Sequence, residues 1–133
     1  MKEQNKENLI KEAQNALAKS YYPYSNNKVG AALLTGIGRI YLGANRGNAC
    51  STLNCCAEQV ALSSAVINND LEFVAIAVGQ ASGDPCLPCG RCLQLLSEFA
   101  DDMLILSTNG TKITEYSLKY LLPLPYRRSE QGS

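Results

Sequence analysis

The sequence predicts an α/β protein: one three-layer α/β/α sandwich around a mixed sheet of about five strands. Three observations lead there. Apolar residues at helical spacing open the chain, short apolar runs suited to buried strands follow, and after a hairpin these runs alternate with helical stretches. At 133 residues, 46% apolar and 18% charged, the chain suits one globular domain with one sizeable core. Residues 1–127 are expected to form that domain and residues 128–133 a flexible tail.

Leu9, Ile10, Ala13, Ala16 and Leu17 predict an amphipathic helix from Lys2 to Ala18, broken by the segment Tyr21 to Ser25. Val29 to Leu34 reads as a buried strand, Gly36-Ile-Gly38 as a turn and Arg39 to Gly43 as its hairpin partner. A polar loop, Ala44 to Asn54, leads to a helix from Cys55 to Ile67, ended by Asn68, Asn69 and Asp70. Phe73 to Val78 is a third strand. A loop with Gly79, Ser82, Gly83, Asp84 and Pro85 follows, then a helix from Cys89 to Phe99. Met103 to Ser107 is a fourth strand, Asn109-Gly110 a turn, and Ser117 to Leu122 a short last helix.

Composition excludes several function classes. Twelve basic and twelve acidic side chains cancel, so no broad positive face is expected and nucleic acid is an unfavoured partner. Met1 to Asn8 is charged and lacks the apolar core of a signal peptide, and no apolar run approaches the ~20 residues of a membrane span. A cytoplasmic protein with no membrane partner is expected. Its six cysteines then read as metal ligands or buried thiols rather than disulfides. The chain has no histidine, which rules out Ser-His, Cys-His and His-ligand metal chemistry together. Acid–base work near neutral pH falls to a tuned carboxylate or to water acidified by a metal.

Two cysteine clusters each open a predicted helix: Asn54-Cys-Cys-Ala-Glu-Gln59 and Pro88-Cys-Gly-Arg-Cys92. Helix N-termini favour thiolate over thiol. Cys89 and Cys92 are three apart, on one face of a first turn, and can chelate one ion. A cysteine from the other helix completes a three-thiolate zinc site with its fourth position open. Of Cys50, Cys55 and Cys56, the choice falls on Cys56, because Glu58 two residues on can reach beside the metal and carry protons. Two plainer readings compete. Cys89 with Cys92, or Cys86-Leu-Pro-Cys89, can be a redox dithiol, and Cys50, Cys55 or Cys86 can supply the fourth ligand of a purely structural zinc site. Otherwise those three cysteines read as small buried hydrophobes.

The motif set resembles that of zinc nucleobase deaminases, in a three-cysteine version of the signature with Glu and Pro-Cys-x-x-Cys. Over nearly the whole chain it is similar to the small homotetrameric cytidine deaminases. Pro23-Tyr-Ser25 with Val29-Gly-Ala-Ala-Leu33 resembles their strand-one motif, Asn45 with Asn48-Ala49 their substrate loop, and Cys56-Ala-Glu58 their first zinc motif. Pro88-Cys-Gly-x-Cys92 with Gln94 and Ser97-Glu-Phe99 resembles the second, and Ser117-Leu118 with Leu121-Leu-Pro123 the C-terminal motif.

The resemblance implies Zn2+ on Cys56, Cys89 and Cys92, with Glu58 as the catalytic proton carrier in hydrolytic deamination of cytidine or deoxycytidine, releasing ammonia. It implies that the Ala57 N–H holds the 2-carbonyl of cytosine and the Leu87 carbonyl accepts from the departing amine. It also implies a homotetramer with shared pockets, in which Tyr126 stands near a C-terminal aromatic that packs on a neighbour's substrate, and a role in pyrimidine salvage.

Several positions depart from the family pattern. An arginine that commonly follows the glutamate is Gln59 here, leaving helix N-termini and Arg91 to offset the charge of three thiolates on zinc. The family's Asn-x-Glu-Asn loop, which holds the ribose 3′-hydroxyl, reads Asn45-Arg46-Gly47-Asn48. An aromatic beside the pyrimidine is replaced by Asn27 and a loop tyrosine by Ser51. Arg46 can meet a carboxylate or phosphate, or simply face solvent. These changes raise a second expectation within the same chemistry, a modified cytosine nucleoside such as blasticidin S. A non-catalytic structural zinc-binding relative is the third, and Glu58 speaks against it.

Overall fold

A computed structural model describes residues 1–81 and 83–128 of the chain. Leu9, Ala13 and Ala16, three and four residues apart, turn one apolar stripe inward on α1 (Glu3–Ala16). A 3-10 turn, Leu17–Lys19, finishes that helix. β1 (Val29–Thr35) and β2 (Ile40–Ala44) form the expected hairpin, turning at Gly38, whose φ of 87° suits glycine. α2 (Ala57–Ile67) stops where Asn69 takes the left-handed conformation at φ 58°. β3 (Phe73–Gln80), α3 (Gly90–Ser97), β4 (Leu104–Thr108), β5 (Ile113–Ser117) and α4 (Leu118–Leu121) follow.

The five strands form one mixed sheet in the order β2-β1-β3-β4-β5. β3 and β4 run parallel; the other neighbours are antiparallel. Strand side chains alternate between faces. Ala32, Ala75, Ala77 and Leu106 meet α1 through Leu9 and Ala13. Ala31, Leu33, Ile76 and Ile105 point the other way, onto Ala61 of α2, Leu96 of α3 and Leu118 of α4. The three-layer α/β/α sandwich predicted from sequence is the fold observed.

Two glycines let the layers approach closely. A Cβ at Gly30 of β1 would lie 2.2 Å from the Ala13 carbonyl oxygen of α1. A Cβ at Gly43 of β2 would lie 2.2 Å from the Ala57 carbonyl oxygen and 2.6 Å from the Ala61 nitrogen. The start of α2 therefore rests directly on the sheet, which sets the height of everything that projects from its first turn.

The structure corrects four element boundaries. β3 runs on through Gly79 and Gln80, which sequence assigns to the following loop. α2 and α3 start after their cysteines, at Ala57 and Gly90. Residues 113–117 are a strand where apolar patterning shows none: β5 is an edge strand whose side chains are only partly covered, so its partner's backbone, not burial, makes it a strand. The last helix is correspondingly shorter, with Ser117 as its cap, accepting from the Tyr120 N–H at 3.0 Å. The expected flexible tail lies outside the described residues except for Arg128. No described helix is long and apolar enough to cross a membrane.

Candidate active site

Cys56 and Cys89 are the residues that precede α2 and α3. Both are extended (φ −71°, ψ 150°; φ −69°, ψ 165°), and neither side chain caps its own helix. An N-cap side chain points back over the first turn, toward the third helical residue. In α3 that residue is Cys92. The sulfurs of Cys56, Cys89 and Cys92 all lie within 4.8 Å of one another. Among the described residues this is the one such group of metal-ligating side chains, and it holds no fourth cysteine.

The other cysteines have separate surroundings. Cys50 is exposed, with its sulfur 3.2 Å from the Thr52 hydroxyl. Cys55 is locked by its backbone to Arg46, N–H to carbonyl in both directions at 2.8 and 3.0 Å. The Cys86 thiol donates to Gln80 Oε1, and its carbonyl accepts from the Ser107 hydroxyl.

The electrostatics of the three-sulfur group follow from proximity. The Cys92 thiol donates to Cys56, which brings Cys56 down to about 5; burial opposes the shift and the Arg91 guanidinium assists it. The same hydrogen bond pushes Cys92 strongly upward. The two shifts describe one shared proton, held by Cys92, with Cys56 as the thiolate. Arg91 Nη2 donates to Cys56 Sγ at 3.3 Å. Glu58, in the first turn of α2, is only 7% exposed, and burial pushes its carboxyl above the usual carboxylate range. The neighbouring Cys86 thiol is raised too, by burial and then by the charge of Glu58.

A cleft of about 230 Å³ opens over this group. Cys56, Ala57, Glu58, Leu87 and Cys89 are among the residues that line it. Asn27, Asn45, Tyr22 and Asn54 line it as well. A buried carboxylate beside three sulfurs, opening into one cavity, equips the cleft for metal-assisted proton-transfer chemistry.

A family model described as the cytidine and deoxycytidylate deaminase zinc-binding region matches residues 3–108. The chain belongs to that family. It is a zinc-dependent aminohydrolase of the cytidine deaminase type, and three sulfur donors within reach of one ion suit the zinc that the family binds. A cytidine deaminase of Halalkalibacterium halodurans is 42% identical over 117 residues, 86% of this chain and 89% of that protein. The crystal structure of cytidine deaminase from Burkholderia pseudomallei superposes with a TM-score of 0.85 at 37% identity, covering 95% of this chain and all of that one. A blasticidin-S deaminase of Bacillus cereus is 32% identical over 116 residues, 80% of this chain and 83% of that protein.

The deaminase brings most of its sequence-predicted site residues into the cleft, but not all. Asn45 lines the cavity, yet its amide is largely engaged: Oδ1 accepts from the Ser20 hydroxyl at 2.5 Å and the Val29 N–H at 2.9 Å, and Nδ2 donates to the Asn27 carbonyl at 2.7 Å. Gly47 does not line the cavity; it backs onto the Tyr22 ring. Tyr126 is 73% exposed and outside the cleft, with its backbone pinned to Gln94 by two hydrogen bonds of 2.9 and 3.0 Å. The Arg46 side chain is exposed. Tyr22 and Asn54, both in the deaminase cleft, were not identified from sequence. Tyr22 read there only as part of a helix-breaking segment; the available signal was a bulky aromatic in the same chain as a glycine at position 47.

Proposed function

We propose that the chain catalyses hydrolytic deamination of cytidine and deoxycytidine to the uridine products, with zinc on Cys56, Cys89 and Cys92 and Glu58 as the proton carrier. The carrying observation is that the three clustered sulfurs and the buried Glu58 carboxyl open into one cleft. Zinc, when bound, is a Lewis acid that makes water nucleophilic near neutral pH. Glu58 would take a proton from the attacking water and deliver it to N3 of the ring, which makes carbon 4 electrophilic. Once hydroxide has added at carbon 4, Glu58 would take its remaining proton and pass it to the amino group, so that the carbon–nitrogen bond breaks, ammonia leaves and the 4-carbonyl forms. Ala57 is the first residue of α2, so its N–H has no partner within the helix and can hold the 2-carbonyl. The Leu87 carbonyl, at the cleft wall, accepts from the amine. Burial raises the Glu58 carboxyl, which makes it a stronger proton acceptor than an exposed glutamate.

Asn27, Asn45 and Gly47 are assigned to the group attached to the base, directly or through the residues they support. Residues 1–127 act as one deaminase domain. The reading includes a cytoplasmic homotetramer serving pyrimidine salvage, and the exposed Tyr126 side chain suits a reach to a neighbour's pocket.

A modified cytosine nucleoside such as blasticidin S is the second reading, favoured by the absence of a carboxylate at position 47 and supported by the Bacillus cereus relative. Ammonia release by the zinc-loaded enzyme from cytidine, deoxycytidine, free cytosine and blasticidin S separates the two. Turnover of blasticidin S with cytidine inert would overturn the first reading.

A further inference from the structure

The part of the cleft lined by Tyr22, Asn45 and Asn54 is built by a three-segment lacing. The Tyr21 N–H donates to the Asn45 carbonyl at 3.1 Å, and the Gly47 N–H donates to the Tyr21 carbonyl at 2.6 Å. Arg46, between them, pairs through its backbone with Cys55, the residue before Cys56. The position of Tyr22 is therefore tied, through two short backbone ladders, to the sulfur cluster.

The Tyr22 ring lies against Gly47. A Cβ at position 47 would sit 3.1 and 3.3 Å from Tyr22 Cδ1 and Cε1, and 3.3 Å from Tyr24 Cδ2. Any side chain at 47 must push these rings by a few tenths of an ångström. The Tyr22 hydroxyl accepts from Asn54 Nδ2 at 3.4 Å, and Asn54 Oδ1 accepts from the Asn48 N–H at 2.8 Å. Tyr22, Gly47 and Asn54 thus form one packed unit, with the ring as a wall of the cavity.

Glu58 is the sole carboxylate among the described residues lining the cleft, and its charge interacts with that of Cys56. Asn45 Oδ1 already accepts twice. Beside Tyr22, Asn27, Asn45 and Asn54 a sugar hydroxyl therefore meets neutral amides and an aromatic ring, with no charged acceptor. Such a wall offers a hydroxyl only neutral partners, while the aromatic face packs equally well on ring carbons and C–H groups.

We propose that Tyr22 is a specificity-determining residue for the group on N1 of the cytosine, and that this wall accepts hydroxyl-poor rings, such as dideoxy or unsaturated sugars, as readily as ribose. This rests on the deaminase reading of the cleft and names its substrate class. Gly47 is the complement: it makes room for the ring.

The test compares cytidine with 2′,3′-dideoxycytidine on the zinc-loaded enzyme. In the wild type the two kcat/KM values should agree within about tenfold, the effect of a weak neutral hydrogen bond. Tyr22→Ala should raise KM for dideoxycytidine about fivefold more than for cytidine, with kcat unchanged. Tyr22→Phe, which keeps the ring, should hold the wild-type ratio. A preference for cytidine beyond tenfold in the wild type, or an unchanged ratio in Tyr22→Ala, overturns the proposal while leaving deamination intact. Zinc-loaded enzyme that releases ammonia from neither compound overturns the deaminase reading and this one with it. If Tyr22→Ala does not fold, the wild-type ratio alone decides.

Discussion

Arg91 Nη2 donates to Cys56 Sγ at 3.3 Å, placing a positive charge of α3 on the sulfur that precedes α2. Its charge also acts on Cys89 and Cys92. Three thiolates on Zn2+ sum to −1, which weakens the metal as a Lewis acid, and Gln59 carries no charge to offset it.

Arg91→Ala is expected to lose zinc to a chelator about threefold faster and to lower kcat by a similar factor. The effect is modest because the guanidinium is solvent-exposed and screened. Arg91→Lys should recover part of both. Chelator competition followed by zinc content, and a shift of the thiolate-to-metal charge-transfer band in cobalt-substituted enzyme, are the measurements; identical spectra would count against a direct role.

Glu58→Gln is expected to keep one zinc per chain and lose about a thousandfold in kcat, the contribution of a positioned acid–base group. Its amide fills the same space but moves no proton. Metal analysis and ammonia release, read on the same preparation, decide it. Wild-type turnover with zinc retained would sink the proton-carrier role.

The pH dependence follows from the burial of Glu58. Its folded value is raised, so the native state holds this proton more tightly than the unfolded chain does. Stability is therefore lost as pH rises from the ordinary carboxylate value through the raised one. In metal-free protein at pH 7, Glu58→Gln should melt higher than wild type, and the gap should close below about pH 4, where both carry a neutral group. Thermal melts at both pH values test this.

Zinc uptake by the metal-free protein should release protons at neutral pH. Cys92 holds the proton it shares with Cys56, and all three sulfurs must bind as thiolates. Titration of zinc into weakly buffered protein, with a pH indicator, is the measurement. No proton release at pH 7 would contradict the shared-proton arrangement.

Gly47→Glu is not expected to add a sugar contact by itself. Its Cβ meets Tyr22 at 3.1 Å, so the substitution should cost about 1 kcal/mol from overpacking. Combining it with Tyr22→Ala should recover part of that loss, a coupling that a double-mutant cycle of melting temperatures would show. Additive effects would mean that the two residues do not share one space.

The local patterns in the sequence determined a great deal. Helical spacing defined α1, continuous apolar runs defined β1, β3 and β4, and Asn68-Asn69 marked the end of α2, because side-chain period and left-handed turn residues are properties of a short segment. Cys89 with Cys92 was legible for the same reason, since one helical turn sets their spacing. Glu58, two residues after Cys56, distinguished that cysteine from Cys50 and Cys55. Tertiary structure decided the rest. The sheet carries the start of α2 onto Gly43, and the ends of distant segments meet, so that Cys56 reaches Cys89 and Cys92 while Cys55 is held against Arg46. β5 exists through pairing with β4, which no apolar pattern encodes. Arg91 on Cys56 and Tyr22 on Gly47 are contacts between segments far apart in the chain, and only packing and register could place them.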